Sequence, residues 1–585
     1  MLAMAHTGRS LRFCAALSAL LAAAELCGEP AARFEALSPA SGWQHSMLVG
    51  NGTIGAMVEG KVSDELMHLS HAKLFLPQPV DSDKSVRDPF MAACNLRIAN
   101  SVGAVSNYRR FVDFRTGECV VEADDEDGRR YRRSVFASRA DNIIAIKIDD
   151  PARRETFFVL DSLPLMGYRE ARTFESGVRR FEVGKRDGCL FYRCEFSNRN
   201  QWNDLAGYVV ALAAGADKTE AFVAIEPVPK DGFATDPFPA IRKRLGVAVA
   251  EGYDALLARH VDIMGELFDR VSLDMECDDD RIPLYFAAGR YNIISSTGGD
   301  NIPNLQGLWA GSWNEAWGDI FRENGHLPCA TAFFSRGNTT EFNECLAKWT
   351  ERKFKDPRHR WHGASWQMPG RMRDGYRHTL DEAWLKRIEP LLKDATPRPE
   401  PSVDDPDGLV VALYDDAPAE IVTNEAMVAA VRRTIDDRLA GAPGGERPKA
   451  FEYVQLGLAA CKLGDADRAE RCLARLTEGY WTDGGGSFHD ERSVFNMDIS
   501  GGYPYLVSEM LVHSEDGWAS FLRAKPASWR RGEIRGLRLR GAVVVESLSW
   551  EGDSWSAILR LKDGTRTTVA SEDVPLGVVW YDKLK

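Results

Sequence analysis

Gly50-Asn51-Gly52-Thr53-Ile54-Gly55 runs directly into Ala56-Met57-Val58-Glu59-Gly60. The first six residues match GxGxxG, but a dinucleotide-binding loop of that pattern must leave a strand and open a helix. Ala56 to Val58 reads instead as another strand, so the glycines are expected to form a tight turn between two strands. Further along, Val120-Val121 and Val135-Phe136 flank Asp127-Gly128, a strong hairpin signal. Ile143, Ile144, Ile146 and Ile148 add another β-branched run. Short strands separated by Gly, Asp and Asn predict a β-sandwich rather than a parallel sheet.

Beyond the sandwich the period changes. Tyr253, Leu256, Leu257, His260, Met264, Leu267 and Phe268 recur at three- and four-residue spacing, which is one face of an amphipathic helix. Leu284 to Ile294 continues helically, as do 341–350, 376–393, 424–439, 451–476 and 503–513. From 519 onward strands return, at Leu537-Leu539, Ala542 to Val545, Ala557 to Leu561 and Val578 to Trp580. A block of helices between blocks of strands predicts a multidomain α and β protein. No short repeat interrupts this order.

Composition narrows the function classes. With 585 residues the chain exceeds what one core supports, and 44% hydrophobic with 27% charged residues excludes wholesale disorder. A net charge of −13 leaves no overall positive field for nucleic acid, and an anionic membrane surface should repel it. Arg9 and Arg12 precede the apolar run Phe13 to Leu21 and then Ala22, Ala23 and Ala24, the parts of a secretory signal. Export to the periplasm or the exterior is therefore expected, with cleavage between Ala24 and Ala32. The run is too short for stable membrane insertion, and no later stretch reaches about 18 apolar residues. Of 11 Cys, two fall in the presumed signal and nine are scattered without a CxxC pair, so no disulfide framework is expected. Cys189 and Cys194 are close enough in sequence to pair; most of the others read as small buried hydrophobes.

His359, His362 and His378 suggest a metal site, but no helical register supplies a third ligand and Arg358 and Arg360 repel a cation. They are read as surface histidines, with no metal. Seven of the 15 Trp lie between 309 and 384, and this clustering carries more information. Trp366 and Trp384 read as core. Trp309, Trp313 and Trp317 admit two readings, rings that stack on sugar C–H faces or rings that fill the core. Around them stand Asn314, Glu315, Asp319, Glu323, Asn324 and His326, and carboxylates beside amides and aromatics suit glycosidic chemistry.

At this segment the chain resembles glycoside hydrolase family 95, the inverting α-L-fucosidases and their relatives. Met47 to Val58 looks like that family's opening signature. Tyr131 to Ser138 is similar to one of its sandwich strands, and Leu267 to Leu273 and Asn304-Leu305-Gln306-Gly307-Leu308-Trp309 to the entry of its helical barrel. Arg377 to Glu382, Tyr503 to Ser514 and Pro526 to Gly541 resemble later parts. The resemblance implies a signal at 1–32, an N-terminal β-sandwich at 33–235 and a helical linker at 236–272. It further implies an (α/α)6 barrel at 273–518, possibly incomplete, and a small C-terminal β domain at 519–585. The shortened stretches, Trp349 to Trp361 and Asp436 to Phe451, fall within the barrel.

The resemblance also implies a site. The family's base falls on Asp498, in Phe495-Asn496-Met497-Asp498. Its water-orienting Asn-x-Asn falls on Asn324-Gly325-His326, where His replaces the second Asn. The general acid belongs in a Ser-Pro-Glu-Asn segment, and here Ala417-Pro418-Ala419-Glu420 puts Ala at that position and Glu420 one residue late. Glu420 is the candidate acid, Asp415 or Asp416 could substitute, and loss of the acid is the other reading. Trp309, Trp313, Trp317 and Asn51 are the candidate sugar contacts. Inversion needs the two carboxyl groups roughly 6.5–9.5 Å apart, with a water between them. The expected function is hydrolysis of terminal sugars of fucose or L-galactose type from an oligosaccharide or polysaccharide, without cofactor. The alternative is a catalytically degenerate carbohydrate-binding member of the same fold. A third reading, a sugar phosphorylase, would need a basic phosphate pocket to which Arg322 could contribute.

Overall fold

A computed structural model describes residues 32–77, 90–162, 177–197, 204–299, 301–311, 326–355, 367–393, 400–416, 419–441, 447–574 and 577–584. Residues 1–31, which hold the expected signal, lie outside them. The first block of strands builds two antiparallel sheets. The larger has nine strands in the order Arg33–Ala36, Ser106–Asp113, Cys119–Asp124, Arg130–Ala137, Ile144–Asp149, Glu220–Pro229, Leu205–Ala214, Cys189–Phe196 and Val178–Arg186. The smaller has five, Phe157–Asp161, Phe90–Ala99, Asp64–Phe75, Ile54–Val58 and Met47–Gly50. Gly50 pairs with Gly55 across the turn, and Gly52 takes φ 85°, so the glycine-rich segment joins two strands as expected. Asp124 pairs with Arg130 around the Asp127-Gly128 turn, with Gly128 at φ 75°.

Strand alternation sorts the large sheet into two cores. Val135, Ile144, Ile146, Val210, Leu212, Val223 and Ile225 face the sandwich interior with Val49, Ala56, Met67, Leu69 and Leu96 of the smaller sheet. Their neighbours Phe136, Ala145, Val209, Ala211, Phe222 and Ala224 face the other way, onto Phe238, Ile241, Leu245 and Ala248 of the helix Phe238–Glu251. The sheet is covered on both faces, which is why its strands read as nearly continuous apolar runs. The helix Tyr253–Asp269 follows with the spacing read from the sequence.

The central region, from Arg281 to Leu511, contains twelve helices among the described residues. Two expected long helices are each broken. Residues 376–393 divide into Gln367–Thr379 and Glu382–Lys393, because Leu380 turns to φ 51° and Asp381 Oδ1 accepts the N–H groups of Ala383 and Trp384. Residues 451–476 divide into Ala450–Lys462 and Ala466–Gly479 at Gly464, with Asp465 as the new N-cap. The expected helix at 503–513 begins earlier, at Asp498, and ends at Leu511, and all of its residues are buried. Small residues let its neighbours approach. A Cβ on Gly501 would lie 2.0 Å from the Ala330 carbonyl oxygen, and one on Gly502 would lie 2.9 Å from Val454 Cγ2. The helices His326–Thr331 and Ala450–Lys462 therefore press directly on it.

The C-terminal sheet contains Arg531–Arg535, Val543–Glu551, Ser554–Arg560 and Arg566–Ala570, with Leu537–Leu539 on Val543–Glu551. Its outer strand comes from far upstream: Ser272–Glu276 pairs antiparallel with Arg531–Arg535, so the segment expected to open the helical barrel is a strand of this sheet. A further three-stranded sheet joins Val512–Glu515, Trp518–Phe521 and Val578–Trp580. Beneath these elements, Arg540 bonds Asp374 at 2.8 Å and Glu515 at 2.7 Å, and Arg336 pairs with Glu509 at 3.3 Å. The nine described cysteines are free and buried, Cys189 and Cys194 among them. No helix among the described residues is long and apolar enough to cross a membrane.

Candidate functional site

Asp498 is the first residue of the buried helix Asp498–Leu511, and it is 1% exposed. Two short strands, Ser487–Asp490 and Ser493–Asn496, form a hairpin that folds back toward it. The hairpin carries His489, whose Nδ1 lies 3.0 Å from Asp498 Oδ2. An Nδ1–H donated to the carboxylate fixes the orientation of both side chains. The helix N-terminus favours negative charge. Asn496 Oδ1 accepts the Asp498 backbone N–H, and Asn496 Nδ2 is buried with no hydrogen-bond partner among the described residues. Within the same hairpin Val494 takes φ 59°, a left-handed conformation that a β-branched residue adopts only under strain.

Three other elements close on this point. The Phe451 ring, at the start of the helix Ala450–Lys462, stacks on His489 with centroids 5.8 Å apart. Cys329, on the helix His326–Thr331, has its thiol pushed up by burial and then by the Asp498 charge, which places that helix beside the carboxylate. The Met497 N–H donates to the Leu305 carbonyl at 2.8 Å, and a Cβ on Gly307 would lie 2.7 Å from Met497 Cγ. The Asn304-to-Trp309 turn thus clamps the backbone just before Asp498.

The other expected residues fall as follows. His326 opens the helix His326–Thr331, the helix that reaches Asp498 through Cys329. Asn324, Trp313 and Trp317 lie outside the described residues. Glu420 lies on the four-residue helix Ala419–Val422 and is exposed. Trp309 is 0% exposed and its indole N–H donates to the Val49 carbonyl at 2.9 Å. It packs with Leu48, Met57, Leu308, Phe495 and Met497 at the seam between sandwich and helices, so its faces are closed to a sugar. Asn51 has both ends of its amide engaged. Oδ1 accepts from Thr53 and Ile54 at 2.8 Å each, and Nδ2 donates to the Ser138 carbonyl at 2.7 Å and to Asn142 Oδ1 at 3.1 Å. That amide holds the turn and offers a ligand nothing.

His378, expected on the surface, is buried; its Nδ1 donates to the Asp374 carbonyl at 2.7 Å, and burial pushes its pKa down to about 3. His359 and His362 lie outside the described residues. Among the described residues no three His, Cys, Asp or Glu side chains converge as a metal site. Sequence reasoning missed His489. The signal was a His nine residues before Asp498 across a turn, a spacing that becomes a contact only once the hairpin register is known.

Residues 35–85 match a family model described as "Glycosyl hydrolase family 65, N-terminal domain". Among solved structures 37 chains match. One is described as "Putative kojibiose phosphorylase from human microbiome"; it aligns at a TM-score of 0.59 with 8% identity, covering 93% of this chain and 99% of that one. At that identity the likeness is one of fold. None of the curated proteins matches the chain.

Proposed function

We propose that the chain is a carbohydrate-binding protein on a glycosidase-type scaffold, in which the catalytic pair is reduced to one buried carboxylate. The observation that carries this reading is the asymmetry between the two positions expected to hold base and acid. Asp498 is buried and oriented by His489. Glu420 is exposed on a one-turn helix. The family 65 match at 35–85 and the family 95-like motifs both support a sugar ligand, and the twelve helices among the described residues suit six hairpins of an (α/α)6 barrel. Export from the cytoplasm belongs to the same proposal.

The test measures binding of an oligosaccharide panel alongside turnover of aryl α-L-fucoside and other aryl glycosides, for wild type and Asp498→Asn. Binding without turnover is expected, weakened about tenfold in the variant by loss of a charge-assisted hydrogen bond. Turnover that Asp498→Asn abolishes would overturn it.

That outcome would install the second reading, an inverting hydrolase of α-L-fucosidase type. The Asp498–His489 contact favours it, since a carboxylate held in one orientation by an imidazole is placed as a base would be. Asn324 and His326 would then orient the water and Glu420 would supply the proton. Phosphorolysis would need a basic phosphate pocket, and Arg322, its one candidate, lies outside the described residues.

A further inference from the structure

Four helices of the central region run parallel and start at one level. Ala330 and Arg336, on the two short helices that begin at His326, meet Gly501 and Ser508 of the helix Asp498–Leu511. Val454 and Gly457 of the helix Ala450–Lys462 meet Gly502 and Leu506. In the helix Gln367–Thr379, the Arg371 charge acts on the Cys329 thiol, after burial and the Asp498 charge. Gly375 of the same helix lies against Asn343, whose amide donates to Ser335 at 3.0 Å. In every pairing, rising residue numbers on one element match rising numbers on the other. At about 1.5 Å per residue, His326, Gln367, Ala450 and Asp498 therefore begin their helices within about one turn of each other. Gln367, four residues before Arg371, shares its face of the helix. It is 4% exposed, and its Oε1 has no hydrogen-bond partner among the described residues. Asn496 Nδ2, two residues before Asp498, is buried and equally orphaned. Buried polar groups are ordinarily paired, so two orphaned amides at one mouth call for a partner that the described residues do not supply.

We propose that Gln367 and Asn496 are the hydroxyl-recognising residues of the Asp498 site, and that the site selects a neutral sugar unit over one carrying an anionic group. A hydroxyl both donates and accepts, so it serves an amide in either orientation. A carboxylate or sulfate oxygen brings no proton for Gln367 Oε1. Arg371, the cation on the same helix face, is engaged by Asp374 at 3.3 Å. The sugar rests on the carbohydrate reading proposed above; the assignment of the two amides rests on their own burial and place.

Titration calorimetry of the full chain with D-glucose, L-galactose, D-glucuronate and L-galacturonate tests it. One neutral sugar or both should bind, at least about tenfold more tightly than the matching uronate. Gln367→Met should weaken that binding about tenfold. Asn496→Asp, which keeps the Oδ1 that accepts from the Asp498 N–H, should do the same. In urea without sugar, Gln367→Met should unfold at a midpoint no lower than wild type, because it removes an orphaned polar atom and keeps the length of the side chain. A purely structural Gln367 would lower midpoint and affinity together, and that outcome overturns the proposal. So does wild-type affinity in either variant, or a uronate that binds as tightly as its neutral sugar. Binding lost in Asp498→Asn but kept in Gln367→Met overturns this assignment alone. No binding of any of these sugars by wild type at millimolar concentration also overturns it, and only silence of the oligosaccharide panel as well overturns the carbohydrate reading.

Discussion

At one end of the helix Asp498–Leu511 a buried carboxylate faces an imidazole; near the other, a buried carboxylate sits among a guanidinium, an ammonium and an imidazole. Burial alone would raise the pKa of Glu509, but Arg336, then Lys462 and His513, hold it well below the ordinary carboxylate range. The same network extends through Glu515 and Asp374 to Arg540, whose own pKa is driven up by Asp374 and Glu515 against its burial. Asp498 instead has His489, a strained hairpin at Val494 and an unsatisfied amide at Asn496. Dense ion pairing at one end ties helices to the C-terminal sheet. At the other, the buried Asn496 Nδ2 has no hydrogen-bond partner among the described residues, an opening of the kind that would suit the ligand proposed above.

The comparison is attacked hardest at Arg540. Arg540→Met removes from Asp374 and Glu515 the more buried of the two cations they share, leaving the more exposed Arg377 to bridge them, and loss of one partner from such a network costs about 3 kcal/mol. Urea denaturation should show this loss as a lowered midpoint. A midpoint unchanged from wild type would mean that the network does not hold the two regions together.

The two carboxylates can then be set against each other on one helix. Glu509→Gln should destabilise by about 2 kcal/mol or more, since Arg336 and Lys462 lose a buried countercharge. Asp498→Asn should change stability by less than about 1 kcal/mol, because an amide can still accept from His489. Equal losses in the two denaturation curves would remove the distinction between a structural and a functional end.

Much of this contrast could not be read along the chain. The strands around Gly52 and Gly128 were legible, because turn chemistry and alternation are local. So was the helical face from Tyr253 to Phe268. Breaks at Leu380 and Gly464 were not, because apolar spacing continues across them while a single φ decides the bend. Ser272–Glu276 was misassigned, since its partner strand lies more than 250 residues away. Asp498 could be picked out as a candidate from its surrounding motif, whereas its contact with His489 needed a hairpin register. Trp309 and Asn51 stood in the right segments, but their side chains are engaged by the fold, which composition cannot reveal.

Acid should separate the two ends as well. An unfolded His titrates near 6.5 and folded His378 near 3, so between those values the unfolded chain holds the extra proton and stability falls as pH falls. That single residue contributes up to about 1.4 kcal/mol per pH unit. His260 and His71, also pushed down to about 3, act in the same direction. Below about pH 4 the depressed carboxylates of Asp374, Glu509 and Glu515 add their own loss, since the unfolded chain takes up their protons first. Denaturation midpoints from pH 7 to 4 should therefore slope downward, and His378→Gln, whose amide can still donate to Asp374, should flatten the slope. An unaltered slope would place the titrating groups elsewhere.

The smallest effect isolates the strain itself. Val494 is held at φ 59° between the strand residues Ser493 and Phe495, where its branched Cβ crowds the backbone. Glycine adopts that conformation without crowding, though it also gives the unfolded chain more freedom to lose. The net of these opposing terms should be a gain of about 1 kcal/mol for Val494→Gly. If the hairpin is strained in order to present His489 to Asp498, the gain in stability should come with weaker sugar binding, because the relaxed hairpin no longer fixes the imidazole. Stability that rises with binding intact would mean the strain belongs to the turn alone. Stability that falls would mean the Val494 side chain contributes more by packing than its backbone costs, and the Asp498 end would then resemble the Glu509 end more closely than its geometry implies.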